Sequence, residues 1–257
     1  MYENIFDSHA HYDDKRFDDD RDELLERLFS QGLRGVINAA SSIESSKTSL
    51  ALAQKYTQIY CAAGVHPEEA QSFSQTDCDI LAELAQSPRV VAIGEIGLDY
   101  HYDDAAPREK QREAFESQLI LAGKLNLPVI VHDRDAHGDT MDLLRRYKPR
   151  GVLHCFSGSA EMAREVLSLG MYLGFTGVVT FKNARKALAA AEATPINRIL
   201  LETDCPYMAP EPNRGRRCDS GMLENTCEAL AIIKNITPQQ LFDATSENTK
   251  ELFNIKA

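Results

Sequence analysis

Val129-Ile130-Val131-His132, the amphipathic stretch 137–147 and Gly151-Val152-Leu153-His154 read in order as strand, helix and strand, with a histidine closing each apolar run. Working outward, the same alternation fills the chain. Strands are expected near 4–8, 35–40, 59–65, 90–95, 128–132, 151–155, 172–176 and 198–203. Helices are expected near 20–31, 43–55, 78–86, 107–125, 137–147, 159–168, 183–193 and 220–234. Ser159 can accept from free backbone N–H groups at one helix start, and Pro107 suits the first turn of another. Strand-helix alternation implies a parallel sheet, and eight units in 257 residues match a closed (β/α)8 TIM barrel of the α/β class. An open doubly wound sheet is the structural rival. It gathers its site at one switch point, whereas the chemically interesting side chains here follow the first, fourth, fifth, sixth and eighth strands.

The chain reads as one domain over 1–257. Thr237-Pro238-Gln239-Gln240 opens a tail, 237–253, expected as two short helices packed on the barrel through Leu241, Phe242, Leu252 and Phe253. A net charge of -11 excludes a protein that coats long nucleic acids, since that affinity rests on many basic contacts to phosphate; a local pocket for one chain end stays allowed. Asp13, Asp14, Asp18, Asp19, Asp20, Asp22 and Glu23 read as a solvated loop and first helical turn. The six cysteines form no C-x-x-C pair, and Cys155 and Cys205 are expected as packed thiols. No run suits a bilayer span, and Met1-Tyr2-Glu3-Asn4 lacks the pattern of a secretory signal, so a cytoplasmic location is expected. No obligate protein partner is evident, and a monomer is the default.

His9 and His11 follow Ile5-Phe6, Glu95 follows Val90-Val91-Ala92-Ile93, His132 and His154 end their runs, and Asp204 follows Ile199-Leu200-Leu201. A buried imidazole needs only a hydrogen-bond partner and has no reason to recur at strand ends. One shared site is the simpler explanation. Strand parity puts His9 and His11 on one face, with Asp7, and groups Leu200, Glu202 and Asp204. Four imidazoles with one or two carboxylates exceed the needs of one ion. They suit two divalent cations with open positions, bridged by Glu95, and leave magnesium, manganese and zinc all admissible. Glu202 would stand behind the ligands, steadying His132 or His154. Arg134, Arg214, Arg216, Arg217 and Lys182 lie where barrel sites are built and could meet a phosphate; Phe156 and Tyr207 could stack a terminal base. His66 either lines the pocket or bonds within its loop, and Asp99 either lines the pocket or stabilises a loop. His101 and His137 are expected to be exposed or behind the ligands.

Seven segments then carry a resemblance. His9-Ala10-His11, Gly64-Val65-His66-Pro67, Gly94-Glu95-Ile96-Gly97-Leu98-Asp99, His132-Asp133-Arg134, His154-Cys155-Phe156-Ser157-Gly158, Glu202-Thr203-Asp204-Cys205-Pro206-Tyr207 and Asn248-Thr249 resemble, in order, the motifs of the TatD family of metal-dependent hydrolases. The resemblance implies a TIM-barrel phosphodiesterase, with members that act as deoxyribonucleases trimming nucleic acid from the 3′ end. It implies that His9, His11, Glu95 and Asp204 bind one cation, and Glu95, His132 and His154 the other. Some members lack the first histidine pair, which this sequence keeps. Arg217-Cys218-Asp219-Ser220 departs from the Asn-Glu-Pro-like segment of many relatives, which leaves the role of that loop open. Two such cations would lower the pKa of a shared water and neutralise charge during in-line displacement, with Asp204 orienting the nucleophile and taking its proton. An amidase or aminoacyl-ester hydrolase is the rival enzyme, because the same nucleophile can attack a carbonyl. A non-enzymatic metal-binding module is the rival from another class; it would close its ion with four ligands, whereas this set leaves positions free.

Overall fold

The computed structural model describes residues 2–102 and 105–256. Eight parallel strands run in sequence order around one sheet: β1 (Ile5–Ala10), β2 (Leu33–Ala39), β3 (Ile59–Ala63), β4 (Val90–Asp99), β5 (Val129–Arg134), β6 (Gly151–Leu153), β7 (Tyr172–Phe175) and β8 (Ile199–Leu201). Helices α1 (Arg21–Ser30), α2 (Ile43–Lys55), α3 (Gln75–Leu84), α4 (Arg108–Leu125), α5 (His137–Tyr147), α6 (Ala160–Ser168), α7 (Arg185–Ala193) and α8 (Leu223–Lys234) alternate with them, and α9 (Pro238–Phe253) follows. This is the TIM barrel. The ring closes between β8 and β1 through a parallel bridge, Ala10 to Cys205. The bonds His11 N to Cys205 O at 2.8 Å and Asp204 N to His9 O at 2.9 Å complete that seam.

Local chemistry explains the element ends. Ser42 and Ser159 cap α2 and α6 by accepting from Ser45 N and Met162 N. Asn126, Lys148, Asn235 and Asn254 end α4, α5, α8 and α9 in the left-handed region, where asparagine is least penalised. Strand β4 runs four residues past the expected end at 95, because Gly97, Leu98 and Asp99 pair with His132, Asp133 and Arg134 of β5. Gly97 sits at φ 149°, and a Cβ there would collide with the His132 carbonyl, so the extension requires glycine. β6 and β8 are shorter than expected, and His154 and Asp204 lie just beyond them.

The tail differs from expectation too: α9 is one helix of 16 residues, opened by a capping box between Thr237 and Gln240. Leu241, Phe242, Thr245, Asn248, Thr249, Leu252 and Phe253 keep one buried face, so nothing favours a break. Asn248 Nδ2 donates to Ile196 O and Ile199 O at 2.8 Å, which pins α9 to the start of β8. Leu252 and Phe253 enter the apolar interior of the barrel with Phe6, Ile37, Ala62, Ala92, Ile130, Val152 and Leu200. Each such large side chain contributes about 1.5–3 kcal/mol by leaving water. That plug closes one end of the barrel and leaves the carboxyl ends of the strands for chemistry. No described helix is long and apolar enough to cross a membrane.

Candidate metal centre

The β8–β1 seam makes the first of two donor pockets. His9 stands near the end of β1, His11 one residue past it, and Asp204 three past β8 at φ 60°, a left-handed turn that re-aims the chain. His9 Nε2 is 3.1 Å from His11 Nε2, 3.2 Å from Glu95 Oε2 and 3.6 Å from Asp204 Oδ1. His11 Nε2 is 3.2 Å from Asp204 Oδ1 and 3.6 Å from Glu95 Oε2. A tetrahedron with ligand distances near 2.0–2.2 Å has edges of about 3.3–3.6 Å; His9, His11 and Glu95 group at such spacing, and Asp204 stands within it of both imidazoles.

The second pocket uses the other oxygen of the same glutamate. Glu95 Oε1 lies 2.7 Å from His154 Nε2, 2.8 Å from His132 Nδ1 and 3.6 Å from His66 Nε2. His132 Nδ1 and His154 Nε2 are 3.3 Å apart. Glu95 is buried and its backbone N–H is held by Ala40 O at 2.9 Å, so the carboxylate stands between the pockets by construction.

Behind the pockets, acceptors fix which ring nitrogen faces inward. His11 Nδ1 donates to Ala39 O at 2.8 Å, and His132 Nε2 to an Asp99 oxygen at 3.0 Å. His154 Nδ1 faces Glu202 Oε1 at 3.5 Å. His9 Nδ1, His154 Nδ1 and Glu202 Oε2 are buried with no hydrogen-bond partner among the described residues, while the His9 and His154 rings stack at 4.0 Å between centroids. A side chain at Gly174 would overlap the Glu202 carboxylate, so β7 leaves its space by having none.

Electrostatics favours a cation. Burial works against ionising Glu95, yet the charges of His154, His9 and His66 hold it well below the usual carboxylate range. Burial likewise opposes charge on His11 and His132; hydrogen bonds and charge from Asp204 and Glu95 raise His11 to about 9, and those from Asp99 and Glu95 raise His132 to about 9. Burial lowers His9, and burial with the neighbouring His132 lowers His66 to about 3. Ionised carboxylates and imidazoles directed at common points form a mixed N/O donor set of the kind that divalent ions take by displacing the imidazole protons. The residues present therefore fit a metal centre.

Glu202 stands with His154 and not His132, whose partner is Asp99. Asp7 does not join the donors: its carboxylate accepts from Thr203 N, Thr203 Oγ1 and Ser220 Oγ at 3.0, 2.6 and 2.6 Å, and burial pushes it up to about 6. Tyr207 is 46% exposed, edge-on to His11 at 6.2 Å, with Arg16 4.0 Å over its ring. Arg134 donates to Tyr102 OH at 3.0 Å, and Arg214 is exposed, 3.5 Å over the ring of Phe181. Lys182 and Arg216 are exposed. Phe156 is buried against Phe175, which removes it as a stacking platform. Arg217 is committed to Asp20 at 2.6 and 2.7 Å, which removes it as a phosphate contact. Its loop is a brace, since Ser220 also bonds Tyr12 OH at 2.8 Å. The acidic run is solvated as expected at Asp18, Asp19, Asp22 and Glu23, while Asp13 turns inward to bond Asn38 and Ser45. Cys155, beside Thr176 Oγ1 at 3.3 Å, and buried Cys205 are packed thiols. His101 pairs with Asp135 and His137 with Asp133. His66 satisfies both of its readings, facing Glu95 with Nε2 and accepting from Glu68 N with Nδ1 at 3.3 Å. Sequence reasoning missed Asp99 as the partner of His132; the signal was Gly97, which allows the strand to continue and bring Asp99 alongside.

A (β/α)8 barrel with imidazoles and carboxylates converging at the carboxyl ends of its strands is the architecture of metal-dependent hydrolases. The family model described as "TatD related DNase" matches residues 6–254, and the chain belongs to this TatD family of metal-dependent hydrolases. It is 38% identical to the uncharacterized metal-dependent hydrolase YabD of Bacillus subtilis, over 98% of this chain and 99% of that one. It is 34% identical to the 3′-5′ ssDNA/RNA exonuclease TatD of Salmonella typhimurium, again over 98% and 99%. The crystal structure of the TatD homolog YJJV from Escherichia coli K12 superposes with a TM-score of 0.93 at 32% identity, covering both chains fully.

Proposed function

We propose that the chain is a divalent-cation-dependent phosphodiesterase that trims single-stranded nucleic acid from its 3′ end. The observation that carries this reading is the Glu95 carboxylate, with one oxygen in each of two donor pockets. The likeness to a named 3′-5′ ssDNA/RNA exonuclease over nearly the whole chain supports the substrate class. His9, His11, Glu95 and Asp204 would hold one cation, and Glu95, His132 and His154 the other. Cations so held supply Lewis acidity to the phosphoryl oxygens and to water at the site.

The chain's own residues do the rest. Asp204 shows 13% of its side chain at the mouth, where it can orient the attacking water and take its proton. Burial opposes its ionisation, but the hydrogen bond from His11 and the charges of His154, His11 and His9 keep its pKa low, so it acts through position more than basicity. Glu95 fixes the spacing of the two pockets. Asp99 holds the ring of His132 by a hydrogen bond, and the Glu202 carboxylate, 3.5 Å behind His154 Nδ1, acts on that ring by charge. Tyr207 offers an exposed face to a terminal base, and Arg214 and Arg134 offer guanidinium groups to the phosphates behind it.

The test is a 3′-labelled single-stranded oligonucleotide incubated with protein loaded in turn with magnesium, manganese or zinc, beside an aminoacyl ester and a cyclic amide. Label release from the 3′ end, lost in Glu95→Ala, is the expected result. Hydrolysis of the amide or ester with inert DNA would replace this reading with the amidohydrolase one.

A further inference from the structure

Two fully buried glutamines on α4 stand outside every role assigned so far. Gln111 and Gln118 are each 1% exposed, and a spacing of seven puts both on one face of the helix. A buried amide is costly unless both its ends are paired, and here each pairs as another peptide group would. Gln118 Oε1 accepts from Val65 N at 2.8 Å while its Nε2 donates to Val65 O at 3.0 Å. Gln111 Oε1 accepts from Asp99 N at 2.8 Å while its Nε2 donates to Asp99 O and Ala106 O, both at 2.8 Å.

The two residues gripped are not arbitrary stretches of main chain. Val65 immediately precedes His66, and Asp99 carries the carboxylate that holds His132 Nε2 at 3.0 Å. Both clips therefore end on groups that face Glu95 Oε1. The pocket of His9, His11 and Asp204 is framed differently, by Asp7 bonding Thr203, Ser220 and the His9 N–H. Apolar side chains of similar size would fill the space beside β3 and β4 equally well, but they could not fix the main chain along the strand direction.

Resting on the metal reading above, we propose that Gln111 and Gln118 are positioning residues for one half of the centre. They set where His132 and His66 stand, and so govern how tightly the Glu95–His132–His154 pocket retains a cation without touching it. Gln111 acts through Asp99 on His132, and Gln118 acts through the backbone at Val65 on His66, which lines the same pocket with Nε2 3.6 Å from Glu95 Oε1 and groups there with His132.

Full-length wild type, Gln111→Met, Gln118→Met and Asp99→Asn are freed of metal and titrated with zinc by calorimetry, with melting temperature measured on the metal-free proteins. Wild type takes two equivalents. Each glutamine variant keeps one at wild-type affinity and weakens the other roughly 10- to 100-fold, the range typical of lost support behind a metal-binding histidine. The surviving equivalent disappears when His11→Ala is added, which assigns it to the other pocket. Gln111→Met combined with Asp99→Asn weakens binding no more than the larger single change, because both act through His132. Two unchanged equivalents, or both weakened alike, would show that the glutamines only stabilise the fold and would overturn the proposal. If a glutamine variant does not fold, Asp99→Asn decides alone: one weakened equivalent supports the relay and none refutes it. A wild type that binds no zinc removes the metal reading itself, whereas two equivalents in wild type with indifferent variants remove only the glutamine clips.

Discussion

At one end of the barrel Phe6, Ile130, Val152 and Leu200 pack against Leu252 and Phe253 of α9; at the other, His9, His132, His154 and Glu202 crowd around Glu95. The distance between these worlds is one pleat. Ile130 and His132, Val152 and His154, and Leu200 and Glu202 are each two residues apart along the chain. His154 and Glu202 are as buried as Val152 and Leu200, and only His132 is partly exposed, so depth does not by itself distinguish the ends. What differs is how the buried groups are satisfied: dispersion and water release at the floor, mutual polar pairing with unpartnered atoms at the mouth. Stability concentrates in the plug, and the mouth is free to hold groups that would be unfavourable without a ligand.

The largest effect that would break this contrast is at the mouth. Glu95→Gln removes the charge shared by both pockets, and loss of such preorganised electrostatics lowers the rate by at least roughly 100- to 1,000-fold. The metal-free melting temperature at neutral pH should fall, since the fold holds the Glu95 carboxyl well below its usual range and its charge helps to hold up those of His11 and His132. Full activity in steady-state assays would dissolve the two-pocket centre. Next is the floor: Phe253→Ala should cost about 3–5 kcal/mol in denaturant unfolding while the folded fraction keeps its turnover number. A comparable fall in turnover would show that the ends are not separable.

A smaller effect sharpens the comparison through pH. His11 and His132 titrate near 9 in the folded metal-free chain, against about 6.5 when unfolded. A raised folded value means that the protonated form stabilises, fully below about pH 6.5, and that this contribution is lost as pH rises through about 9. Scanning calorimetry of the metal-free protein should therefore show falling stability across that window. The cation-loaded protein, whose imidazoles must be neutral to bind, should hold its stability better there. Parallel curves with and without chelator would place the cation elsewhere.

The amino-acid sequence alone determined the alternation of eight strands and helices and the polar residues that end them. Both are local properties: a period of two or 3.6, an apolar run, and the side chain that follows it. It did not determine that α9 is continuous, since that rests on a buried face completed by the barrel floor. The division of ligands between pockets was legible only through the family resemblance, not through periodicity or spacing. His9, His11 and Asp204 share a pocket only because the ring closes between β8 and β1, joining residues 193 positions apart. Gln111 and Gln118 were silent, and Asp99 was legible only as a pocket or loop residue, because a carboxylate or an amide in a helix or strand carries no mark of the partner it will meet. Tertiary structure alone decided those pairings, because hydrogen-bond direction and donor spacing arise when distant backbone segments are fixed against one another.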